Sequence, residues 1–335
     1  MGRRRILAGI VGTALAIALL LWAFRGVHIG EVIRQIRDSD PWPLALSVVL
    51  ASLTFPMRLI RWRLLLRSET GAPLPAGPLW HAIAIGFMAN NLLPFRAGEL
   101  VRTFAATKLS GARFTAAISS IAVERVFDGL ACVGLLGVGL LTSDLPPGVV
   151  VGGISVARAA QVAGVISLGA LAAAGAVVAF PAAAEGLIRR LLPAGRMTDR
   201  LISIIEGLRH GLASLRSPAL LAQVSIWSLA LWLVNALALY VGFHAFDIRV
   251  GFGGALLMQG VLVIGISVQL TPGFVGQFEA AIVAALALYG IPNDVASSYA
   301  IAYHGATFIP ITLAGAWSLA RTPVALSDLR GSPRP

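Results

Sequence analysis

The chain has 335 residues, of which 57% are hydrophobic and only 12% are charged, and its mean hydropathy is +0.84. These values exclude an ordinary soluble domain and predict a polytopic helical membrane protein. Because the basic residues behind the formal charge of +11 flank apolar segments, we expect an anionic membrane surface as a partner, and no nucleic acid. The single cysteine, Cys132, and the scattered histidines predict no disulfide, no metal site and no cofactor.

Apolar stretches long enough to cross a hydrocarbon layer of ~30 Å recur along the chain. They cover residues 6–24, 44–66, 114–142, 159–180, 219–243 and 298–320. Two further apolar regions, at about 79–109 and 253–290, carry proline and glycine near their middle and predict re-entrant helix hairpins. The expected fold is an all-α polytopic membrane protein with about six full transmembrane helices plus two re-entrant hairpins. It forms a single integral membrane domain over residues 1–335.

Basic residues are concentrated in alternate connections, and short cytoplasmic loops carry the excess of Lys and Arg. The basic side chains placed in the cytoplasm include Arg3, Arg4, Arg5, Arg58, Arg61, Arg63, Arg67, Arg102, Lys108, Arg113, those of the loop 181–218, and Arg321, Arg330 and Arg334. We therefore expect a multi-pass protein of a bacterial-type inner cell membrane with both termini cytoplasmic. In this arrangement the first hairpin enters from the cytoplasm and the second from outside.

Two amphipathic stretches flank the predicted spans. In the first, Ile29, Val32, Ile33 and Ile36 share one helical face. The second is a stripe in the basic loop 181–218, formed by Leu201, Ile204, Ile205, Leu208, Leu212 and Leu215. Both patterns predict interfacial helices. The second stripe is equally compatible with a surface for a homodimer or for a cytosolic lipid-modifying enzyme.

The two interrupted regions share a local pattern. The segments from Asn91 to Gly98 and from Gln269 to Gly276 each contain an amide residue, Leu, one residue, Pro, three residues and Gly. Opposite entry and matching breaks predict an inverted repeat, which places substrate near the bilayer midplane. A half-helix that begins after either proline would direct free N–H groups at an anion such as phosphate, although Pro and Gly also kink ordinary membrane helices.

Charged residues occur inside the apolar run 114–142, namely Glu124, Arg125 and Asp128. Because a charge at the bilayer centre costs at least ~2.5 kcal/mol, these side chains must face the protein interior. Arg125 and Asp128 have the spacing of a helical ion pair. The cluster is either a polar pathway or a self-neutralising structural pair, and Glu279 is the expected distant partner of Arg125.

Three motifs in order resemble a known family: Asn-x-Leu-x-Pro-x-Arg-x-Gly-Glu-x-x-Arg over 90–102, Glu-Arg-x-x-Asp over 124–128, and Thr-Pro-Gly-x-x-Gly-x-x-Glu over 271–279. They look like the lysylphosphatidylglycerol synthase transmembrane domain family, a flippase-like membrane module. One departure is Phe274, where the family usually has a second glycine. No aminoacyltransferase domain follows the last span in this sequence, so lipid aminoacylation is not expected.

The resemblance implies a flippase that moves a phospholipid or lipid-linked headgroup between leaflets through a midplane polar cavity, rather than an enzyme. The predicted substrate-binding and pathway residues are Asn91, Pro94, Arg96, Gly98, Glu99, Arg102, Glu124, Arg125, Asp128, Pro272, Gly273, Gly276, Glu279 and His304, with none catalytic. Two alternatives stay open. One is an intramembrane enzyme with a rhomboid-like pair of Ser267 and His304. The other is a membrane scaffold for a cytosolic lipid-modifying synthase.

Overall fold

The computed structural model describes residues 28–68, 70–93, 96–146, 150–151, 154–191, 195 and 217–324. Several of the predictions above fall outside these residues, namely the span 6–24, Pro94, the apolar stripe within 201–215, and both termini with their basic residues. The described part is built almost entirely of α-helices, as expected from the sequence.

The helices, in chain order, are α1 Ile29–Asp38, α2 Pro41–Leu65, α3 Ala76–Leu92, α4 Ala97–Ser110, α5 Phe114–Thr142, α6 Val156–Ala179, α7 Pro181–Leu191, α8 Pro218–Phe243, α9 Phe252–Gly265, α10 Gln277–Ala287 and α11 Asn293–Ala320. Short 3-10 turns follow α8 and precede α10, at His244–Phe246 and Pro272–Phe274. The pair of two-residue strands β1 Val150–Val151 and β2 Ile154–Ser155 is antiparallel and leads into α6.

Helices α2 and α8 begin with the same device. Asp40 and Ser217 each precede a proline, and their side chains accept the backbone N–H groups of Trp42 and Leu220. Proline costs nothing in the first turn, where its missing N–H would have no partner inside the helix. Within the described residues, two helices are apolar and long enough to cross a membrane, Pro41–Leu65 and the continuous stretch Pro218–Phe246. The expected total of six spans plus two hairpins stays a prediction.

The first interrupted region forms two short helices, α3 and α4, that pack side by side. Their close approach depends on small residues. A Cβ placed on Gly98 would overlap the Gly86 carbonyl oxygen, and a Cβ on Gly86 would lie 2.6 Å from Cβ of Arg102. Asn90 closes the hairpin, since its side-chain oxygen accepts the N–H of Gly98 at 2.8 Å. That bond satisfies an N–H in the first turn of α4, which has no partner within the helix.

The second interrupted region likewise breaks between α9 and α10. Here Gln277 closes the loop: its side-chain oxygen accepts the N–H groups of Leu270 at 3.0 Å and Thr271 at 3.3 Å, and its nitrogen donates to the carbonyls of Gly265 and Val268. At each break an amide side chain thus replaces lost backbone hydrogen bonds.

The helices form two sets, α2 to α5 and α8 to α11, and each contact from the first set to the second has a matching contact in the opposite direction. Helix α3 packs on α11 and α9 packs on α5, while α2 packs directly on its counterpart α8. The contact between α2 and α8 is antiparallel, because Asp40 bonds to Ala245 near one end and Arg61 bonds to Ser228 near the other. Each set also has its own large apolar core, one centred on Trp62 and Leu79 and the other on Phe243 and Tyr299.

Helix α1 is present where its apolar face predicted it, and it packs on α11. Of the four residues that share that face, Val32 is buried, whereas Ile29 and Ile33 are exposed. The long helices also present large apolar side chains outward, among them Trp42, Ile226 and Leu313. An exposed apolar surface of this extent is typical of a protein that contacts lipid.

Candidate functional site

The tips of the two broken hairpins meet at the buried side chain of Gln269. Its amide nitrogen donates to the carbonyl oxygens of Asn90 at 2.5 Å and Leu93 at 2.9 Å, and its amide oxygen accepts the backbone N–H of Arg96 at 2.9 Å. The Arg96 guanidinium donates in return to the Ile266 carbonyl at 3.2 Å. These bonds give protein partners to backbone groups at both breaks, as expected for irregular backbone inside a membrane.

Both breaks have a residue with left-handed backbone two positions after their proline. These are Arg96, with φ of 51°, and Phe274, with φ of 59°. Side chains rarely adopt this region because Cβ crowds the following carbonyl. The residue that departs from the family pattern, Phe274, therefore stands at a position where glycine would be unstrained.

Next to the first break lies a group of buried and half-buried charges that we call the arginine cluster. It comprises Arg58, Arg61, Arg96, Arg102, Arg125, Glu99, Glu124 and Asp128. Helices α2, α4 and α5 contribute its side chains, with Arg96 at the start of α4.

In the inner part of the arginine cluster, Arg61 and Arg102 pair with carboxylates through their terminal nitrogens, while their Nε atoms have no hydrogen-bond partner among the described residues. Arg61 contacts Asp128 at 2.5 Å and the Ser228 hydroxyl at 2.8 Å, and Arg102 contacts Glu124 at 2.7 Å. The Arg102 guanidinium also stacks on the Trp62 ring, 3.6 Å from its centroid. These buried side chains hold α2, α4, α5 and α8 together, and the geometry favours a structural role for them.

The outer part of the cluster is more open. Arg125 Nη2 lies 3.3 Å from Asp128 Oδ2, Arg125 Nε lies 3.7 Å from Glu99 Oε1, and Arg96 Nη1 lies 3.9 Å from the same Glu99 oxygen. The side chains of Arg96 and Arg125 are 34% and 35% exposed. Two half-exposed guanidinium groups that share one carboxylate keep donors available for an anionic ligand.

The formal charges of the arginine cluster do not cancel. Five guanidinium groups face three carboxylates, which leaves two positive charges within this defined set. An uncompensated positive charge in a low-dielectric environment is costly, and a bound anion reduces that cost.

The sequence did not predict the burial of two members of the cluster. Arg58 and Arg61 were assigned to the cytoplasmic end of a span, which stays a prediction; both are buried within α2, and Arg61 is completely inaccessible. Their position inside the apolar run 44–66 was the available signal, because an ionisable residue within a span indicates a functional or interior position.

The expected pairing of Arg125 is half right. Its contact with Asp128 is confirmed, whereas Glu279 is the partner of another residue. Glu279 Oε1 lies 2.6 Å from Nδ1 of His304, and Glu279 Oε2 accepts the N–H of Gly276 at 2.7 Å. The His304 ring also stacks on Phe278, with a centroid distance of 4.2 Å. Glu279 therefore caps α10 and ties it to α11.

The remaining predicted residues lie at the junction with α11. The Asn91 amide donates to the Thr312 hydroxyl at 2.7 Å. Gly273, next to Pro272, has φ of 61°, and a Cβ there would lie 3.1 Å from the Asn91 carbonyl oxygen. These contacts bring the second break against α3 and α11.

The rhomboid-like pair is not formed. Ser267 is exposed, and among the described residues its hydroxyl has no hydrogen bond to His304, whose Nδ1 contacts Glu279 instead. A serine nucleophile requires a base within hydrogen-bond reach.

Comparison with known proteins identifies the family. The family described as the lysylphosphatidylglycerol synthase TM region matches residues 9–315. The chain belongs to this family. The resemblance inferred from the three motifs is thereby confirmed, and the protein is a membrane protein of the lysylphosphatidylglycerol synthase transmembrane family.

Three relatives align over most of the chain. It is 29% identical to glycosyltransferase AglD of Haloferax volcanii over 93% of this chain and 53% of that protein. It is also similar to two UPF0104 membrane proteins of Methanothermobacter thermautotrophicus. The first is 27% identical over 90% of this chain and 89% of the relative, and the second is 25% identical over 93% of this chain and 92% of the relative.

The comparison with AglD corrects one prediction. The chain spans about half the length of that relative, and the matching half belongs to a protein named as a glycosyltransferase. The expectation that the chain is not an enzyme is therefore wrong as stated, because a sequence similar to nearly all of it forms part of a named enzyme.

Proposed function

We propose that this family member moves the phosphate-bearing headgroup of a phospholipid or lipid-linked sugar between leaflets, along a path that passes the arginine cluster. The observation that carries the proposal is the excess of two positive charges at the junction of two broken hairpins. A headgroup phosphate supplies the compensating negative charge. The lipid tails stay in the bilayer while the headgroup crosses inside the protein.

Within this function Arg96 and Arg125 contact the phosphate, because their side chains are the half-exposed ones. Glu99 and Asp128 hold the two guanidinium groups in place when no lipid is bound. The buried, carboxylate-paired Arg61 and Arg102 form the supporting scaffold. The site has the chemistry expected of a transporter that binds near the midplane between broken helices.

The arrangement in the membrane is part of the same proposal. Both termini are cytoplasmic, and the two hairpins enter from opposite sides, which is supported by the contact of their tips at Gln269. Labelling of single cysteines with an impermeant maleimide, in a Cys132→Ser background, tests this orientation. Asp144→Cys, after α5, is expected to react when the reagent is added outside. Thr70→Cys, after α2, is expected to react only after the membrane is permeabilised, and equal labelling of both contradicts the orientation.

Leaflet exchange in proteoliposomes tests the transport function. Lipids with a fluorescent acyl chain are reconstituted with the protein, and dithionite is added outside to bleach the outer leaflet. Arg96→Gln and Arg125→Gln are each expected to slow exchange about tenfold or more, since a charge-assisted hydrogen bond contributes about 1.5 to 3 kcal/mol.

The matched control is Arg34→Gln, which removes an exposed guanidinium on α1 that pairs only with the neighbouring turn. It is expected to exchange lipid like the wild type. Exchange by the wild type no faster than in protein-free vesicles overturns the proposal.

A second candidate function is glycosyl transfer at a lipid carrier, favoured by the similarity to glycosyltransferase AglD. It predicts that membranes containing the protein incorporate radiolabelled sugar from a nucleotide sugar into a lipid extract. Incorporation equal to that of membranes lacking the protein eliminates this candidate.

A further inference from the structure

A cavity of about 240 Å³ lies beside the arginine cluster, among α2, α3, α8, α9, α10 and α11. Two of its lining residues contact members of the arginine cluster. Trp232 lines the cavity and donates its indole N–H to Asp128 at 3.0 Å. Ile266 also lines it, and the Ile266 carbonyl accepts from the Arg96 guanidinium.

Two polar side chains in the cavity wall are more than nine-tenths buried and only incompletely paired. Arg58 is 9% exposed, and its Nε has no hydrogen-bond partner among the described residues. Its guanidinium lies over the Phe87 ring, 5.1 Å from the centroid. Gln259 is 3% exposed, and its Oε1 likewise has no partner within the described part of the chain. Buried polar atoms are normally hydrogen-bonded. Unlike the equally unpartnered Nε atoms of Arg61 and Arg102, these two belong to side chains that line a cavity with room for a ligand, and both therefore indicate one.

Arg58 and Gln259 require different hydrogen-bond partners from a ligand. A guanidinium only donates, so Arg58 requires an acceptor, best an anionic oxygen. The Gln259 oxygen only accepts, so it requires an O–H or N–H donor. Because the adjoining arginine cluster carries excess positive charge, an ammonium group is repelled and a hydroxyl is favoured.

The rest of the cavity wall is largely aromatic and apolar. Phe55, Phe87, Trp232, Phe278 and Tyr303 all line it. A cavity with aromatic walls and a few polar groups holds a compact ligand in a fixed orientation. Ring-shaped polyols combine apolar C–H faces with hydroxyl edges, which matches these walls.

We propose that this cavity binds the polyol or sugar portion of a phosphodiester headgroup while the phosphate moves along the arginine cluster from Arg96 and Arg125, with a phosphate oxygen then on Arg58 and a hydroxyl on Gln259. The inference rests on the proposed transport function and names its substrate class. Choline headgroups are rejected, because they offer no hydrogen to Gln259 and bring a positive charge close to Arg58.

The first experiment compares leaflet exchange of acyl-labelled phosphatidylinositol and phosphatidylcholine. Wild-type protein is expected to exchange phosphatidylinositol about tenfold faster, the effect of one buried hydrogen bond. Gln259→Met keeps the side-chain volume but removes the acceptor, and it is expected to abolish the preference. Ser225→Ala, on the exposed face of α8, is the control and retains it. Equal rates for both lipids in the wild type, as for a cavity that holds only water, overturn the inference.

The second experiment measures binding without transport. Short-chain phosphatidylinositol is expected to raise the unfolding temperature of the detergent-solubilised wild type, and short-chain phosphatidylcholine is not. Gln259→Met is expected to lose this difference. An equal shift with free inositol 1-phosphate assigns the site to a soluble sugar phosphate and overturns its role for lipid. Selective binding without exchange of any lipid contradicts the transport function alone, whereas exchange without selective binding contradicts the substrate class alone.

Discussion

The amide of Gln269 bonds to Asn90 at 2.5 Å, so a side chain of the second break completes the backbone of the first. Gln269→Leu leaves the Asn90 and Leu93 carbonyls and the Arg96 N–H without this partner. We expect it to lower the free energy of unfolding by about 1 to 3 kcal/mol. Titration from mild detergent into SDS measures that change.

Two comparison variants separate the hydrogen bonds from side-chain volume. Gln269→Glu keeps an acceptor for Arg96 but places carboxylate oxygen against two carbonyl oxygens, so it is expected to destabilise as well. Gln223→Leu changes an exposed glutamine on α8 and is expected to be neutral. A Gln269→Leu protein as stable as the wild type would show that the tip contact contributes nothing.

The buried pair of Arg61 and Asp128 gives a second prediction. Arg61→Met leaves the Asp128 carboxylate partly uncompensated and is expected to cost about 3 to 5 kcal/mol. Adding Asp128→Asn is expected to recover part of this loss, because the two residues interact directly. The check is a double-mutant cycle of unfolding free energies, with the exposed Arg34→Met as control. Strictly additive losses contradict the pairing.

The glycine contact inside the first hairpin gives a third prediction. Gly98→Ala places a methyl group where the Gly86 carbonyl lies, with the Asn90 side-chain oxygen 2.5 Å away. We expect the α3 and α4 helices to separate and the unfolding temperature to fall, with a cost of about 1 to 3 kcal/mol. Gly129→Ala, on α5 with no atom within 4 Å of the new Cβ, is the matched control and should be tolerated. Equal stability of the two variants is the contrary result.

The left-handed backbone of Phe274, two residues after Pro272, gives a fourth prediction. Phe274→Gly removes the steric cost of a φ of 59°, about 1 kcal/mol, and is expected to raise the unfolding temperature. Gly273→Ala is expected to do the opposite, since its Cβ would lie 2.7 Å from the Phe308 ring. Thermal unfolding of both variants in detergent decides the matter, and a fall in both would mean that the Phe274 ring contributes more than its backbone costs.

Residue spacing in the sequence predicted the contacts and helix breaks that depend only on neighbouring residues. Arg125 and Asp128 are one helical turn apart, and their contact follows from helix geometry alone. The breaks near Gly98 and Gly276 were likewise visible, because proline and glycine interrupt helices wherever they occur.

Partners distant in the chain were not predictable in the same way. Glu279 and His304 belong to different helices, and hydropathy carries no information about which faces of two helices meet. Arg58 and Arg61 were assigned by the rule for loop charges, which gives a side of the membrane but carries no information on whether a side chain is buried in the protein. Gln259 gave no signal at all, because a single glutamine in an apolar helix is recognised as unpaired only after packing is known.

The antiparallel contact of α2 with α8 has a consequence for how the molecule is assembled. A surface that packs on its own counterpart is the kind found at the twofold axis of a symmetric dimer. The contacts between the two helix sets are matched in the way that contacts between the subunits of such a dimer would be, and the segment that joins the sets includes α6 and α7. If the two helix sets were co-expressed as separate polypeptides, their complementary surfaces would allow them to associate.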